Sequence, residues 1–179
     1  MSKTVVAFAA SNSSRSINRQ LVTCACGMLE GVQAEILDLN DYELPLFSID
    51  REDALGQPEA ARAFLQKLNG ADGIVIAFAE HNGAYSAAYK NLFDWVSRIQ
   101  PKVYQDKPMV LLSTSPGGRG GQSVLELALG QIPRFGGQVM ASFSLPSFME
   151  NFDTAAGNVT DPGYAARLED AIGRLFTHE

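Results

Sequence analysis

The chain has 179 residues and a formal net charge of −6 at pH 7, with 46% hydrophobic and 19% charged residues. This composition is typical of one globular domain over residues 1–179 and excludes a mainly disordered chain. Because the chain is acidic, we expect it not to bind nucleic acid. No apolar run approaches the roughly 18 residues of a membrane span, so we also expect no association with a membrane.

The first predicted element is a strand at residues 4–10, too close to the N-terminus to leave room for a signal peptide, so we expect a cytoplasmic protein. A serine-rich stretch follows. The spacing of Ile17, Leu21, Cys24 and Met28 then predicts a helix with these residues on its apolar face. A buried strand that turns directly into a helix points free backbone N–H groups at one place, where a phosphate can bind. The alternative is that these polar residues only cap the helix.

Cys24 and Cys26 are the only cysteines, and His81 and His178 are the only histidines. Two cysteines two positions apart on a helix lie on nearly opposite sides, so a disulfide between them is geometrically poor. We expect Cys24 to pack in the core. Neither residue type forms a pattern of metal ligands, so we expect no metal site.

Residues 32–39 predict the second strand. The segment from Tyr42 to Gln57 has no clean period and predicts a long connection over the surface. Pro58 begins a helix that ends at Asn69-Gly70, with its apolar positions at Ala61, Phe64, Leu65 and Leu68.

Residues 73–79 are an unbroken apolar run, which predicts a parallel strand covered on both faces. After Glu80-His81-Asn82-Gly83, a helix is predicted with apolar positions Tyr85, Ala88, Tyr89, Leu92, Val96 and Ile99. Trp95 lies off this stripe. It therefore predicts a subunit contact and a homodimer or homotetramer, with burial under a neighbouring loop as the alternative.

The fourth strand is predicted at residues 108–114 and is followed by a glycine-rich loop and a helix. The apolar positions of that helix are Val124, Leu125, Ala128, Leu129 and Ile132. The fifth strand is predicted at residues 137–141, then an irregular stretch to about Asp161. Pro162 begins the last helix, with Leu168, Ile172, Leu175 and Phe176 inward.

Five strands alternating with five helices predict a parallel sheet with helices on both faces, although periodicity alone cannot choose between the common strand orders. Polar or glycine-rich loops follow the first, third and fourth strands. In the order 2-1-3-4-5 these loops converge on one crevice at the carboxyl ends of the strands, where such sheets bind ligands.

The first loop lacks both the G-x-G-x-x-G and the G-x-x-x-x-G-K-[ST] pattern, which disfavours a dinucleotide fold and a P-loop nucleotidase. A hydroxyl-rich loop suits a terminal phosphate monoester, such as that of FMN. Gly83 allows the backbone to approach a flat ring, although Asn82-Gly83 can equally be a turn that leads into the helix. The glycines of the third loop expose amides where negative charge can develop, or they are ordinary loop residues.

Three blocks of the sequence, at residues 10–18, 80–95 and 113–121, resemble the NADPH-dependent FMN reductase family. The resemblance extends over nearly the whole chain, and residues 89–95 are its most specific part. It implies a flavodoxin-like fold, bound FMN, and NADPH or NADH as co-substrate. In this family Lys90, Asn91, Asp94 and Trp95 look structural by their helix spacing, with a possible second role facing a partner subunit.

The resemblance also implies the cofactor-binding residues. Ser11, Ser16, Ile17 and Asn18 would hold the phosphate; Glu80, His81, Asn82 and Gly83 would line the isoalloxazine; and Ser115, Pro116, Gly117 and Gly118 would contact its other side. Two positions depart from the family. Histidine stands at position 81, where tyrosine is common. Ser13 stands where many members have an arginine; either Arg15 replaces that arginine with a different reach, or hydroxyls and amides alone hold the phosphate.

We therefore expect an FMN-dependent oxidoreductase that takes a hydride from NAD(P)H and reduces a small-molecule acceptor, namely a quinone, azo compound, metal oxyanion or free flavin. No side chain need be catalytic, because the flavin carries the chemistry. The alternative is a flavodoxin-type electron-transfer protein without its own NAD(P)H site. A Ser/His hydrolase is disfavoured, since the sequence has no G-x-S-x-G and one of its two histidines is close to the C-terminus.

Overall fold

The computed structural model describes residues 2–177, and its centre is a five-stranded, all-parallel sheet in the order β2-β1-β3-β4-β5. The strands are β1 (Lys3–Ala10), β2 (Val32–Leu37), β3 (Gly73–Phe78), β4 (Lys107–Thr114) and β5 (Gly137–Leu145). The predicted parallel sheet and its order are confirmed. The architecture is that of a flavodoxin-like α/β protein.

Helices cover both faces of the sheet. The α-helices are α1 (Ile17–Gly27), α2 (Ile49–Leu55), α3 (Glu59–Gly70), α4 (Ala87–Ile99), α5 (Gln122–Gln131), α6 (Phe148–Asn151) and α7 (Pro162–Gly173). Helices α1 and α7 pack on one face, and α3, α4 and α5 pack on the other. The side chains of β1 and β3 alternate between these two cores, and both strands are buried on both sides.

Helix α1 is rotated from its predicted orientation. Its buried residues are Asn18, Leu21, Val22, Ala25 and Cys26. Ile17, Cys24 and Met28 are only partly buried and pack at the edge of the core. Leu21 is buried as predicted, but the centre of the buried face is shifted by about one residue, toward Asn18, Val22 and Ala25.

Both cysteines are free thiols. Burial raises the pKa of Cys26 to about 12 and raises that of the half-buried Cys24 in the same direction. Each thiol is consequently protonated at neutral pH, which makes it a poor nucleophile.

Two stretches predicted as irregular contain short elements. The connection between residues 42 and 57 carries α2, preceded by a 3₁₀ turn at Leu39–Tyr42. Strand β5 continues four residues beyond its predicted end, and α6 and an antiparallel hairpin, β6 (Phe152–Asp153) and β7 (Asn158–Val159), follow it. These elements are too short for a periodic pattern to reveal them.

Trp95 is fully buried, so the prediction that it faces a partner subunit is wrong. Its indole Nε1 donates to the carbonyl of Pro45 at 2.7 Å, and its ring packs edge-on against Phe47 with centroids 5.1 Å apart. The indole is thus covered by the connection after β2. That is the alternative the sequence left open.

Among residues 2–177, no helix has the length and apolarity that crossing a membrane requires. His178, which entered the argument against a hydrolase, lies outside the described residues.

Candidate functional site

Three loops meet at the carboxyl ends of adjacent strands. Ala10, the last residue of β1, pairs in register with Phe78 of β3, and Phe78 pairs with Ser113 of β4. The loops that follow these strands, residues 11–16, 79–86 and 115–121, therefore begin side by side at this edge of the sheet, and the candidate cleft lies between them. This is the convergence predicted from the strand order.

The first loop is a set of hydrogen-bond donors. Ser11, Ser13 and Ser16 each accept a backbone N–H through Oγ, from Ser13, Arg15 and Arg19 respectively, at 3.1–3.2 Å. A serine hydroxyl that accepts in this way still has its own hydrogen to donate. Ile17 and Asn18 begin α1, where backbone N–H groups lack helical acceptors, and no acidic side chain lies in this first turn. This donor set fits a phosphate.

The side chain of Asn18 has a different partner from the one predicted. It is buried, its Nδ2 donates to the carbonyl of Thr114 at 3.1 Å, and its Oδ1 accepts the N–H of Thr114 at 3.0 Å. The amide therefore joins the first loop to the end of β4. One Nδ2 hydrogen and the oxygen of this amide are thus committed to Thr114, and the backbone N–H of Asn18 has no helical acceptor.

The second loop is a two-residue hairpin turn. The N–H of His81 donates to the carbonyl of Ala84 at 3.0 Å, and the N–H of Ala84 donates back to His81 at 3.1 Å. Asn82 and Gly83 at the tip have φ of 53° and 75°, both positive, as a type I′ turn requires. The turn is exposed, His81 included. It differs from the predicted turn into the helix, because α4 begins only at Ala87.

Ser86, which is not among the predicted site residues, fixes the far end of this turn. It is buried at the N-cap of α4, where its Oγ accepts the N–H of Tyr89 at 3.2 Å and donates to the carbonyl of Ala10 at 2.8 Å. A serine just before a helical pattern is an N-cap signal in the sequence. Its bond to β1 is visible only in the fold.

In the third loop, two backbone carbonyls are hydrogen-bonded to the chain after β5, whereas two glycine N–H groups are not bonded in the part of the chain that the structure describes. The carbonyl of Ser115 accepts the N–H of Phe148 at 3.1 Å, and that of Gly117 accepts the N–H of Ser147 at 2.9 Å. Within residues 2–177, the N–H groups of Gly117 and Gly118 have no acceptor. Pro116 has no N–H to offer. The exposed amides at 117 and 118 are the donors that this loop can present to a ligand.

The side chain of Arg15 is exposed and lines a groove of about 260 Å³ between α1 and the β6–β7 hairpin, which Ser16 also lines. Its neighbour in that groove, Arg19, pairs with Asp38 at 2.5 Å, where the N–H of Asn40 and then the charge of Arg19 lower the pKa of the carboxyl group. The binding role of Arg15 stays a prediction, as do those of the other cleft residues.

A five-stranded parallel sheet in this order, with three donor-bearing loops at one edge, defines a flavodoxin-like protein. The chain belongs to the NADPH-dependent FMN reductase family, whose family model matches residues 4–150. It is an oxidoreductase, and the family implies FMN and NAD(P)H.

The chain is similar to named proteins over most of its length. It is 36% identical over 145 residues to an NADPH:quinone oxidoreductase of Arabidopsis thaliana, covering 79% of this chain and 72% of that protein. It is 29% identical over 138 residues to a quinone reductase of Escherichia coli (strain K12), covering 74% and 70%. Its fold matches FerB, a flavoenzyme NAD(P)H:(acceptor) oxidoreductase from Paracoccus denitrificans, with a TM-score of 0.74 at 24% identity over 97% and 98% of the two chains.

Proposed function

We propose that this protein binds FMN in the three-loop cleft and uses NAD(P)H to reduce a small-molecule acceptor, with a quinone as the favoured class. The observation that carries this proposal is the donor set of the first loop: three serine hydroxyls with hydrogens to donate at a helix N-terminus without acidic side chains. Two quinone reductases among the similar proteins support the choice of acceptor. The proposal includes the favoured acceptor class and the roles given to the site residues. It also treats residues 1–179 as one FMN-binding domain.

The three loops would have separate roles. Ser11, Ser13, Ser16 and the N–H groups of Ile17 and Asn18 would hold the phosphate. The tip of the hairpin turn, at Asn82 and Gly83, would lie against the ring, and the amides of Gly117 and Gly118 would approach it from the other side. When bound, FMN supplies the chemistry that accepts a hydride and passes on electrons, while the protein binds and orients it.

We further propose a cytoplasmic homodimer. Both cysteines being free is consistent with a reducing compartment. Buried Trp95 no longer supports the dimer. Support comes instead from Leu46, Ile49 and Leu55, large apolar side chains that are 66%, 67% and 59% exposed on the connection after β2.

Anaerobic mixing of the FMN-loaded protein with NADPH or NADH tests the proposal directly. We expect the visible flavin absorption to bleach with at least one nicotinamide and to return when benzoquinone is added. Bleaching by dithionite but by neither nicotinamide would favour the electron-transfer protein. A purified chain that binds no FMN would contradict the proposal altogether.

A further inference from the structure

Glu80 lies in the second loop of the cleft, and its carboxylate caps α5, the helix that follows the third loop. Its Oε2 accepts the backbone N–H of Val124 at 3.0 Å, although the two residues are 44 positions apart. Val124 is the third residue of α5, and the N–H at this position is one that an N-cap side chain usually satisfies. The N-cap of α5 is Gly121, which has no side chain. Glu80 therefore supplies the cap from outside the helix.

Close packing explains why α5 cannot supply its own cap. A Cβ on Gly121 would lie 3.1 Å from Cβ of Ser113, and one on Gly120 would lie 2.8 Å from the carbonyl oxygen of Leu145. Both glycines also have positive φ, 75° and 58°. A residue with a side chain is disfavoured at both positions, so the cap has to come from another element.

This bond anchors the hairpin turn at His81–Ala84. Glu80 immediately precedes the turn and ties it to α5, while Ser86 ties its other end to β1. The two bonds hold the exposed tip in place relative to the third loop. Gly83 lies beside α5 in this arrangement, since a Cβ there would be 4.0 Å from Cβ of Ser123.

The same carboxylate changes the electrostatics of the cleft. A helix N-terminus is partially positive, so the amides at the start of α5 are expected to favour negative charge on a reduced ring. Glu80 places a full negative charge at that helix end. A cation, Arg119, also lies there and donates to Ser123 Oγ at 3.0 Å.

We propose that Glu80 is a positioning residue with two separable effects on bound flavin. Its hydrogen bond holds the hairpin turn against α5, and its charge disfavours the anionic reduced flavin and so keeps the midpoint potential low. This inference rests on the proposed function, because it requires FMN in the cleft.

Two substitutions separate the bond from the charge. Glu80→Gln keeps an oxygen that can accept from Val124 but removes the charge. We expect it to bind oxidised FMN within about threefold of the parent and reduced FMN about three- to tenfold more tightly, which raises the midpoint potential. Glu80→Asp keeps the charge on a side chain too short to reach Val124. We expect it to weaken both oxidation states together by about tenfold, with the potential unchanged.

Oxidised FMN affinity is measured by fluorescence quenching, and the midpoint potential by equilibration with a reference dye. Glu126→Gln is the matched control, because it also neutralises a carboxylate, but one that lies within α5 on the exposed surface, where it accepts from Gln122 Nε2. Hydrogen exchange of the Val124 amide is a readout that needs no flavin. It should stay slow in Glu80→Gln and become faster in Glu80→Asp.

The outcomes distinguish this inference from the proposed function. If the parent binds no FMN, the proposed function fails, and exchange at Val124 still tests the cap. If the parent binds FMN but both Glu80 variants match it in affinity, potential and exchange, the inference alone is overturned. A potential that falls in Glu80→Gln would overturn the charge effect.

Discussion

Ser16 and Asn18 stand two positions apart at the start of α1, and their side chains have different partners. Ser16 Oγ accepts the N–H of Arg19, and its own hydrogen is left for a ligand. The amide of Asn18 is bonded at both ends to the backbone of Thr114. The Ser16 hydroxyl thus keeps its one hydrogen for a ligand, whereas the Asn18 amide is held by Thr114 through its oxygen and one N–H.

Substituting each residue by alanine should therefore give different results. Ser16→Ala should weaken FMN binding by about tenfold, because a bond to a charged phosphate contributes roughly 1.5–3 kcal/mol, and leave riboflavin binding nearly unchanged. Asn18→Ala should lower the free energy of unfolding by about 2–5 kcal/mol, since two buried backbone groups lose their partners, and weaken both ligands alike. Ligand titration and urea unfolding measure these effects.

Thr23→Ala is a suitable control, since Thr23 lies on the exposed side of α1 and bonds only to the carbonyl of Arg19. It should change neither ligand affinity nor stability appreciably. A selective loss of FMN affinity in Asn18→Ala, with stability preserved, would show that the asparagine side chain does meet the phosphate.

Helix α4 holds the connection after β2 in place. Asn91 Oδ1 accepts the N–H of Phe47 at 2.8 Å, and its Nδ2 donates to the carbonyls of Leu44 and Pro45, both at 3.1 Å. Arg98 adds an ion pair with Glu52 of α2 at 2.9 Å. The connection is thus fastened along the length of one helix.

Asn91→Ala should release this connection. Three net hydrogen bonds of roughly 0.5–1.5 kcal/mol each predict a loss of about 1.5–4.5 kcal/mol in the free energy of unfolding. Limited proteolysis between residues 44 and 56 should accelerate as well.

Lys90→Ala, one position away, should cost less than about 0.5 kcal/mol, because Lys90 forms only an exposed i,i+4 pair with Asp94. An equal decrease in the free energy of unfolding in Asn91→Ala and Lys90→Ala would contradict the special role of Asn91 in holding the connection.

At the scale of the whole molecule, the apolar side chains exposed on this connection are the basis of the proposed dimer. We expect the parent to be dimeric by light scattering at micromolar concentration, and Leu46→Ser combined with Ile49→Ser to shift it toward monomer, since apolar area would be lost from the contact. Leu127→Ser is the control, because Leu127 is 38% exposed but lies on α5. A monomeric parent would contradict the dimer.

The sequence alone determined the parts of this protein that depend on local pattern. The apolar runs of β1 and β3 and the spacing of Ala61, Phe64, Leu65 and Leu68 are repeated often enough to predict their elements, and the buried positions of α3 agree. The loops after β1, β3 and β4 were identified because polar and glycine residues interrupt these patterns. Family and cofactor followed from the same blocks.

Only the tertiary structure decided what the polar side chains do. Asn18, Glu80 and Trp95 bond to partners 96, 44 and 50 positions away, and no periodicity reports such a distance. Leaving any of these polar groups buried without a hydrogen bond would cost free energy, and in the fold each one is bonded to a backbone group. Local sequence specifies which groups need partners, and the packing of the elements decides which partners they find.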